Sequence, residues 1–231
     1  QYQLGMIYYE NQNLEDSIYK SIHYLLLSAK QNNERSKEKL DEIIEKVHLH
    51  ELIPSTIEKV SELYYQLGIL YLQKNYVYRD IKKSLNFLTL ASSQNHVESQ
   101  YKLGILYFVG KKIQRDIEKA ISYLTSAADQ NHSRSQHLLG MIYYENQNLK
   151  SSYNKSIHYL LLSANQNNEK ATKMLSEIFK TINLNELDVN LRIKYLEFLS
   201  KENNPETQCH LGLLYLEGKL IHQNIDKSID Y

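Results

Sequence analysis

The chain has 231 residues, and its 27 basic and 27 acidic side chains cancel to a formal net charge of zero. Bulk charge therefore gives no support for nucleic-acid binding. Seven Gly and two Pro residues are too few turn-formers for a many-stranded β-sandwich or barrel, so a helix-rich chain is favoured. The single cysteine, Cys209, excludes an internal disulfide framework and a cysteine-based zinc cluster. No apolar run approaches the ~18 residues of a membrane span, and no secretory signal is present. We therefore expect no membrane contact and a cytoplasmic location.

A recurring Leu-Gly dipeptide shows that the chain is built from repeats. It occurs at Gly5, Gly68, Gly104, Gly140 and Gly212. The middle three glycines are 36 residues apart, and Leu175-Ser176 and Leu40-Asp41 mark two further repeats without the glycine. We predict one repeat domain over residues 1–231, with repeats at about 1–32, 33–59, 60–95, 96–131, 132–167, 168–203 and 204–231. The second is degenerate and short, the sixth is degenerate and the last is truncated, as in a piece of a longer chain.

The residues around each glycine predict a first helix. Leu or Ile recurs one residue before and two after the glycine, and an aromatic residue recurs three after it, as in Leu103, Leu106 and Tyr107. These offsets place the apolar side chains on one face of a helix.

A second helix is predicted in each repeat by its start and stop signals. Strong N-cap residue types lie twelve residues after the glycine position: Ser17, Asp80, Asp116, Ser152, Asp188 and Asn224. The helix ends at an asparagine, which tolerates the left-handed conformation of helix C-termini: Asn32, Asn95, Asn131, Asn167 and Asn203. A lysine three residues after the N-cap marks the solvated side of this helix: Lys20, Lys83, Lys119, Lys155 and Lys227. Asn204-Pro205 forms an N-cap and first-turn proline for the last first helix.

One helical hairpin cannot bury its apolar face alone, whereas stacked hairpins can. The sequence therefore predicts an all-α fold, a right-handed α-solenoid of about seven helix-turn-helix hairpins.

The third full repeat carries a family resemblance. It reads Ser99-x-x-x-Leu103-Gly104-x-x-Tyr107-x-x-Gly110 and continues through Asp116-x-x-Lys119-Ala120-x-x-Tyr123. This pattern resembles the Sel-one-like repeat (SLR), a 36-residue relative of the tetratricopeptide repeat. The resemblance implies a TPR-like superhelix that acts as a scaffold or adaptor for other proteins and has no catalysis of its own. An alternative is the regulatory repeat region of a larger signalling enzyme such as a protein kinase.

A partner would be expected on the face of the first helices that lies away from the core-facing positions. The positions three before, one after and four after the glycine share that face, and by resemblance to tetratricopeptide solenoids it lines the concave surface. We predict that a partner helix or peptide contacts seven residues there: Tyr65, Tyr101, Ile105, Phe108, His137, Met141 and Tyr144. Two interpretations stay open: these side chains contact a partner, or close stacking of the hairpins buries them.

Other chemistry has weak support in the sequence. His48 and His50 form the closest histidine pair, but no second ligand pair stands at metal-binding spacing, so we expect no metal site. His96 and His132 fall in the turns between repeats. No phosphate-binding glycine motif is present, and we expect no cofactor. Both ends of the chain lack a polar cap, which predicts self-association through the ends.

Overall fold

The computed structural model describes residues 1–11, 17–46, 57–73, 80–146, 152–184, 187–201 and 205–217. Within these ranges the chain forms twelve α-helices and no strand, so the all-α prediction is confirmed. The helices are α1 (Tyr2–Glu10), α2 (Ser17–Lys30), α3 (Glu34–Lys46), α4 (Ile57–Leu72), α5 (Ile81–Ser93), α6 (Val97–Val109), α7 (Ile117–Asp129), α8 (Ser133–Glu145), α9 (Ser152–Ala164), α10 (Glu169–Phe179), α11 (Val189–Ser200) and α12 (Pro205–Glu217). They fall into two compact units, residues 1–123 and residues 124–231.

In the first compact unit, each helix packs against its neighbour along the chain. Helix α1 contacts α2, α2 contacts α3, α4 contacts α5, and α5 contacts α6. The main core includes Leu25, Leu40, Leu67, Tyr71 and Phe87. Leu40 of the glycine-less second repeat is fully buried there, so this repeat contributes to the core although its residues 47–56 lie outside the described ranges.

In the second compact unit, α8 packs on α9, α9 packs on both α10 and α11, and α11 packs on α12. The core gathers Ile157, Leu160, Leu175 and Tyr195 among others. The buried Tyr195 hydroxyl donates a hydrogen bond to the Leu175 carbonyl, and burial raises the pKa of this phenol. The degenerate sixth repeat therefore contributes two helices, α10 and α11, that pack against each other.

The repeat glycine is the point where the two helices of a hairpin approach most closely. A Cβ added at Gly140 would lie 2.5 Å from Leu160 Cγ, and one added at Gly68 would lie 2.7 Å from Leu88 Cγ. No side chain fits at such distances. A serine of the second helix also reaches this point, since Ser156 Oγ donates to the Gly140 carbonyl at 2.8 Å.

The turn between repeats is set by the predicted asparagine. Asn32, Asn95, Asn131 and Asn167 all have φ near +63°, the left-handed conformation, so this prediction is confirmed; Asn203 lies outside the described residues. The N–H of the following residue donates to the carbonyl five residues back, as from His96 to Ala91 at 3.1 Å. These bonds form the Schellman motif that satisfies the last carbonyls of a helix.

The residue after each left-handed asparagine then caps the next helix. His96 Nδ1 accepts from the Ser99 N–H at 3.2 Å, and His132 Nδ1 accepts from the Ser135 N–H at 3.3 Å. The two histidines therefore have the turn role that the sequence predicted. A connection this short leaves little freedom between the helix that ends and the helix that begins.

The predicted aspartate N-caps of the second helices are observed. Asp80 accepts from two N–H groups of α5 and Asp188 from two of α11, while Asp116 accepts from the Lys119 N–H at 2.9 Å. Ser17 and Ser152 are the first residues of α2 and α9. Pro205 begins α12 as predicted, whereas Asn204 and Asn224 lie outside the described residues.

The recurring lysine has a contact that the sequence did not predict. The lysine ammonium lies 5.2–5.6 Å from the centroid of the tyrosine ring three residues after the glycine, within the range of a cation–π interaction. The pairs are Lys20–Tyr8, Lys83–Tyr71, Lys119–Tyr107 and Lys155–Tyr143. The same rings stack almost parallel on an aromatic ring of the second helix, as Tyr143 does on Tyr159 at 6.0 Å and 3°. The view of these lysines as only solvated is therefore incomplete.

Replacing Gly140 by Ala is expected to lower the free energy of unfolding by up to about 2 kcal/mol. Overpacking costs about 1–3 kcal/mol and outweighs the gain of about 1 kcal/mol in helix propensity. Urea denaturation measures the difference. In a Leu160→Ala background the same substitution should cost less, because the atom it meets is gone. A Gly140→Ala protein as stable as the native one would contradict the close approach.

Replacing Asn32 by Ala is expected to lower stability by up to about 1–2 kcal/mol, because alanine is strained at positive φ and lacks the polar side chain that lets asparagine adopt this conformation. Asn32→Gly is the matched control and should leave stability nearly unchanged, since glycine adopts this conformation without strain. Thermal denaturation of both variants checks the prediction. Equal losses in the two variants would show that the asparagine side chain, rather than the backbone conformation, matters.

Candidate protein-interaction site

The candidate site is the stripe formed by the positions three before, one after and four after the repeat glycine. We call it the first-helix stripe. All seven predicted contact residues on it are partly buried, so none is fully enclosed and none is fully exposed. Tyr65, Tyr101, Ile105 and Phe108 lie in the first compact unit, whereas His137, Met141 and Tyr144 lie in the second. The two groups are therefore two separate sections of the candidate site.

Tyr65 contributes to packing within the first compact unit. Its ring lies 4.9 Å from the ring of His96, centroid to centroid, and it packs against two apolar clusters. His96 Nε2 in turn lies 3.1 Å from a carboxylate oxygen of Glu62. The stripe is thus anchored to the turn that joins two repeats.

An open apolar groove lies between α4 and α6, with a volume of about 340 Å³. Its apolar residues come from the two helices: Ile69, Leu72, Ile105, Leu106 and Val109. Val109 is 46% exposed, which is unusual for a branched aliphatic side chain beside other apolar groups. Of the predicted contact residues, Ile105 is among the described residues that line this groove.

Three lysines stand beside the groove, and sequence reasoning missed them. Lys102 belongs to α6, and Lys111 and Lys112 follow Gly110 just after the end of that helix. Lys112 Nζ donates to the Leu72 carbonyl at 3.2 Å. The repeat pattern did not single out these lysines, because most equivalent positions in other repeats carry other residue types, such as Leu138 in place of Lys102.

Phe108 and Arg115 form a separate contact in the first compact unit. The Arg115 guanidinium carbon lies 5.7 Å from the centroid of the Phe108 ring, and its Nε donates to the Phe108 carbonyl at 3.1 Å. Phe108 is therefore held in place by a residue of the loop that follows α6. Tyr65, Tyr101 and Phe108 are not among the described residues that line the groove.

The stripe of the second compact unit is more polar. Burial, together with the nearby Lys170, lowers the pKa of His137, so this imidazole is neutral at pH 7. The Tyr144 ring meets the edge of the Tyr153 ring at 6.3 Å and packs on the core of this unit. On α10 the equivalent positions carry exposed Lys173 and Glu177, so the apolar stripe is interrupted at this helix.

Other chemical groups show little clustering. In the ranges the structure covers, no three His, Cys, Asp or Glu residues gather as metal ligands. His48 and His50 lie outside those ranges, and Cys209 is an exposed thiol on α12.

Along the described parts of the chain, no helix combines the length and the apolar composition that crossing a membrane requires.

Paired helices, short capped turns and the close approach of two helices at the repeat glycine define a helical-hairpin repeat protein of the α-solenoid class. The Sel1 repeat family model matches residues 1–33, 61–96, 97–132, 133–168 and 205–231, well over half of the chain. The chain belongs to the Sel1 repeat family, which confirms the resemblance seen in the sequence. Such proteins are in general protein-interaction scaffolds and typically non-catalytic.

One solved structure shows the same fold, and a second is similar to this chain. A Sel1 repeat protein from Oxalobacter formigenes aligns with a TM-score of 0.51 at 22% identity, over 99% of this chain and 69% of its own. A protective antigen present in uropathogenic Escherichia coli strains, which displays an SLR fold, aligns with a TM-score of 0.48 at 20% identity. That alignment covers 99% of this chain, which spans about half, 51%, of the antigen chain. A comparison with curated proteins gave no match.

Acidification is expected to destabilise the protein in part through His137. Its pKa is lowered in the folded state from the usual 6.5, so the unfolded chain binds the proton more readily. The stability linked to this group is present above pH 6.5 and is lost as the pH falls through that value toward the folded pKa.

The His137→Gln variant should therefore lose less thermal stability between pH 8 and pH 5 than the native protein. Differential scanning calorimetry at both values measures this, with His210→Gln on α12 as the control. An equal loss in the native protein and in His137→Gln would contradict the assignment.

Proposed function

We propose that this chain is a protein-interaction scaffold that holds a helix or peptide of a partner protein along the first-helix stripe and has no catalysis of its own. The groove between α4 and α6 carries the proposal. Its lining includes Ile105, one of the predicted contact residues, and consists mainly of apolar side chains. Membership of the Sel1 repeat family supports the general role.

The size of the groove limits what part of a partner it receives. A volume of about 340 Å³ stands at the lower end of the range of about 300–1,000 Å³ for small-molecule pockets. One or two side chains of a partner fit such a space, and a whole helix does not. Tyr101 and Phe108, one turn before and one turn after Ile105 on α6, would contact the partner on either side of this anchor.

Apolar anchors in a groove contribute most of the binding energy in many interfaces, while their surroundings mainly exclude water. Ile105 and the exposed Val109 are suited to this anchoring role. The alternative, a regulatory repeat region of a larger signalling enzyme, would use the same surface and stays a prediction.

A displayed library of random peptides, panned on the immobilised chain, tests the proposal without assuming a partner. Peptides selected by the native chain should bind the double variant Ile105→Ala/Val109→Ala at least tenfold more weakly, because two apolar side chains that line the groove are shortened. Leu162→Ala is the matched control. It removes a similarly exposed apolar side chain from α9, outside the stripe, and should leave binding unchanged.

Circular dichroism and urea midpoints establish that both variants fold. Selected peptides that bind the native chain and the double variant equally would show that the groove is not the site. A second double variant, Tyr101→Ala/Phe108→Ala, then decides whether the rest of the stripe binds peptides.

A further inference from the structure

We infer that the groove between α4 and α6 selects a partner segment in which an apolar side chain is flanked by carboxylates. The inference rests on the proposed function and names the chemistry of the partner. It follows from the charges around the groove, which differ from those elsewhere on the stripe.

The charge around the groove has one sign. Lys102, Lys111 and Lys112 line it together with the neutral Gln73, and no carboxylate is found among its described lining residues. A chain with zero formal net charge thus places three cations beside its apolar groove. A partner segment with carboxylates complements this arrangement, whereas one with lysine or arginine would be repelled.

The backbone at the end of α6 places two of these lysines. Gly110 ends the helix in the left-handed conformation, with φ +66°, and its N–H donates to the Leu106 carbonyl at 3.1 Å. A Cβ at this position would lie 2.6 Å from Arg115 Cβ, so the turn requires glycine. The lysines that follow are brought beside the groove, where Lys112 Nζ bonds to the Leu72 carbonyl of the opposite helix.

The nearest described carboxylate on the following loop is engaged elsewhere. Asp116 accepts from the Lys119 backbone at 2.9 Å and lies 3.3 Å from the Lys119 ammonium. These contacts lower the pKa of Asp116 and keep it ionised as the cap of α7. It is not one of the residues that line the groove.

The apolar residues that line the groove and the three lysines beside it have different roles in binding. Ion pairs at an exposed rim contribute little affinity each, so the buried apolar side chain of the partner supplies most of the binding. The lysines discriminate among apolar segments and raise the association rate for acidic ones, an effect that salt weakens.

Three labelled peptides of equal length test the inference by fluorescence anisotropy with the whole chain. Each has a central Leu-Phe pair, flanked on both sides by two Glu, two Gln or two Lys residues. The Glu peptide should bind at least tenfold tighter than the Gln peptide at 50 mM salt, and the Lys peptide should be weakest. The advantage of the Glu peptide should shrink at 300 mM salt.

Charge reversal on the protein should reverse the preference. Lys102→Glu/Lys111→Glu is expected to weaken the Glu peptide at least tenfold and to strengthen the Lys peptide. The matched control, Lys173→Glu/Lys180→Glu, makes the same charge change on exposed residues of the second compact unit and should leave the order unchanged.

The outcomes separate this inference from the proposed function. If the Gln peptide binds as tightly as the Glu peptide and Ile105→Ala/Val109→Ala weakens both, the scaffold proposal stands and charge selection is wrong. If the control reversal acts as strongly as the groove reversal, only net charge matters and the inference is again wrong. If no peptide binds, or if the apolar variant changes nothing, both the inference and the groove as a peptide site are overturned.

Discussion

The close approach of two helices at the repeat glycine is the contact on which the rest of the structure depends. At Gly140 the space for a Cβ is filled by Leu160, and Ser156 bonds to the glycine carbonyl. This contact fixes the rotation of the first helix against the second. The residues before and after the glycine, such as Leu139 and Ile142, are then buried.

The turns carry this arrangement from one repeat to the next. The left-handed asparagine ends one helix, and the next residue already caps the following one, as Asn95 and His96 do. Nearly every bond in this connection is formed within a few residues of sequence, so each repeat depends mainly on its neighbours. That local character explains how repeats without the glycine, such as the one containing Leu40, still add to a shared core.

Features that recur in every repeat could be predicted from the sequence, and features of a single repeat could not. The helices, the Asp80 and Asp188 caps and the left-handed asparagines follow from local rules that act wherever the residues stand. Lysine stands at the groove positions in few other repeats, so nothing in the pattern singled out Lys102. The exposure of a side chain could not be predicted from the pattern either. Val109 and Ile105 occupy adjacent turns of one helix face, and their exposed fractions differ only because different residues surround them. The cation–π contacts recur, yet a lysine at a helix surface looks solvated until the facing ring is known.

The stacked tyrosines have a practical consequence for spectroscopy. The chain has 20 tyrosines and no tryptophan, and the Tyr8–Tyr24, Tyr107–Tyr123 and Tyr143–Tyr159 pairs stack within 7° of parallel at 5.7–6.0 Å. Rings so aligned couple their electronic transitions, whereas isolated phenols do not. Near-ultraviolet circular dichroism of this protein therefore includes a contribution from these three hairpins, each of which supplies its own tyrosine pair. The loss of one hairpin would be recorded as the loss of one such pair, without any label.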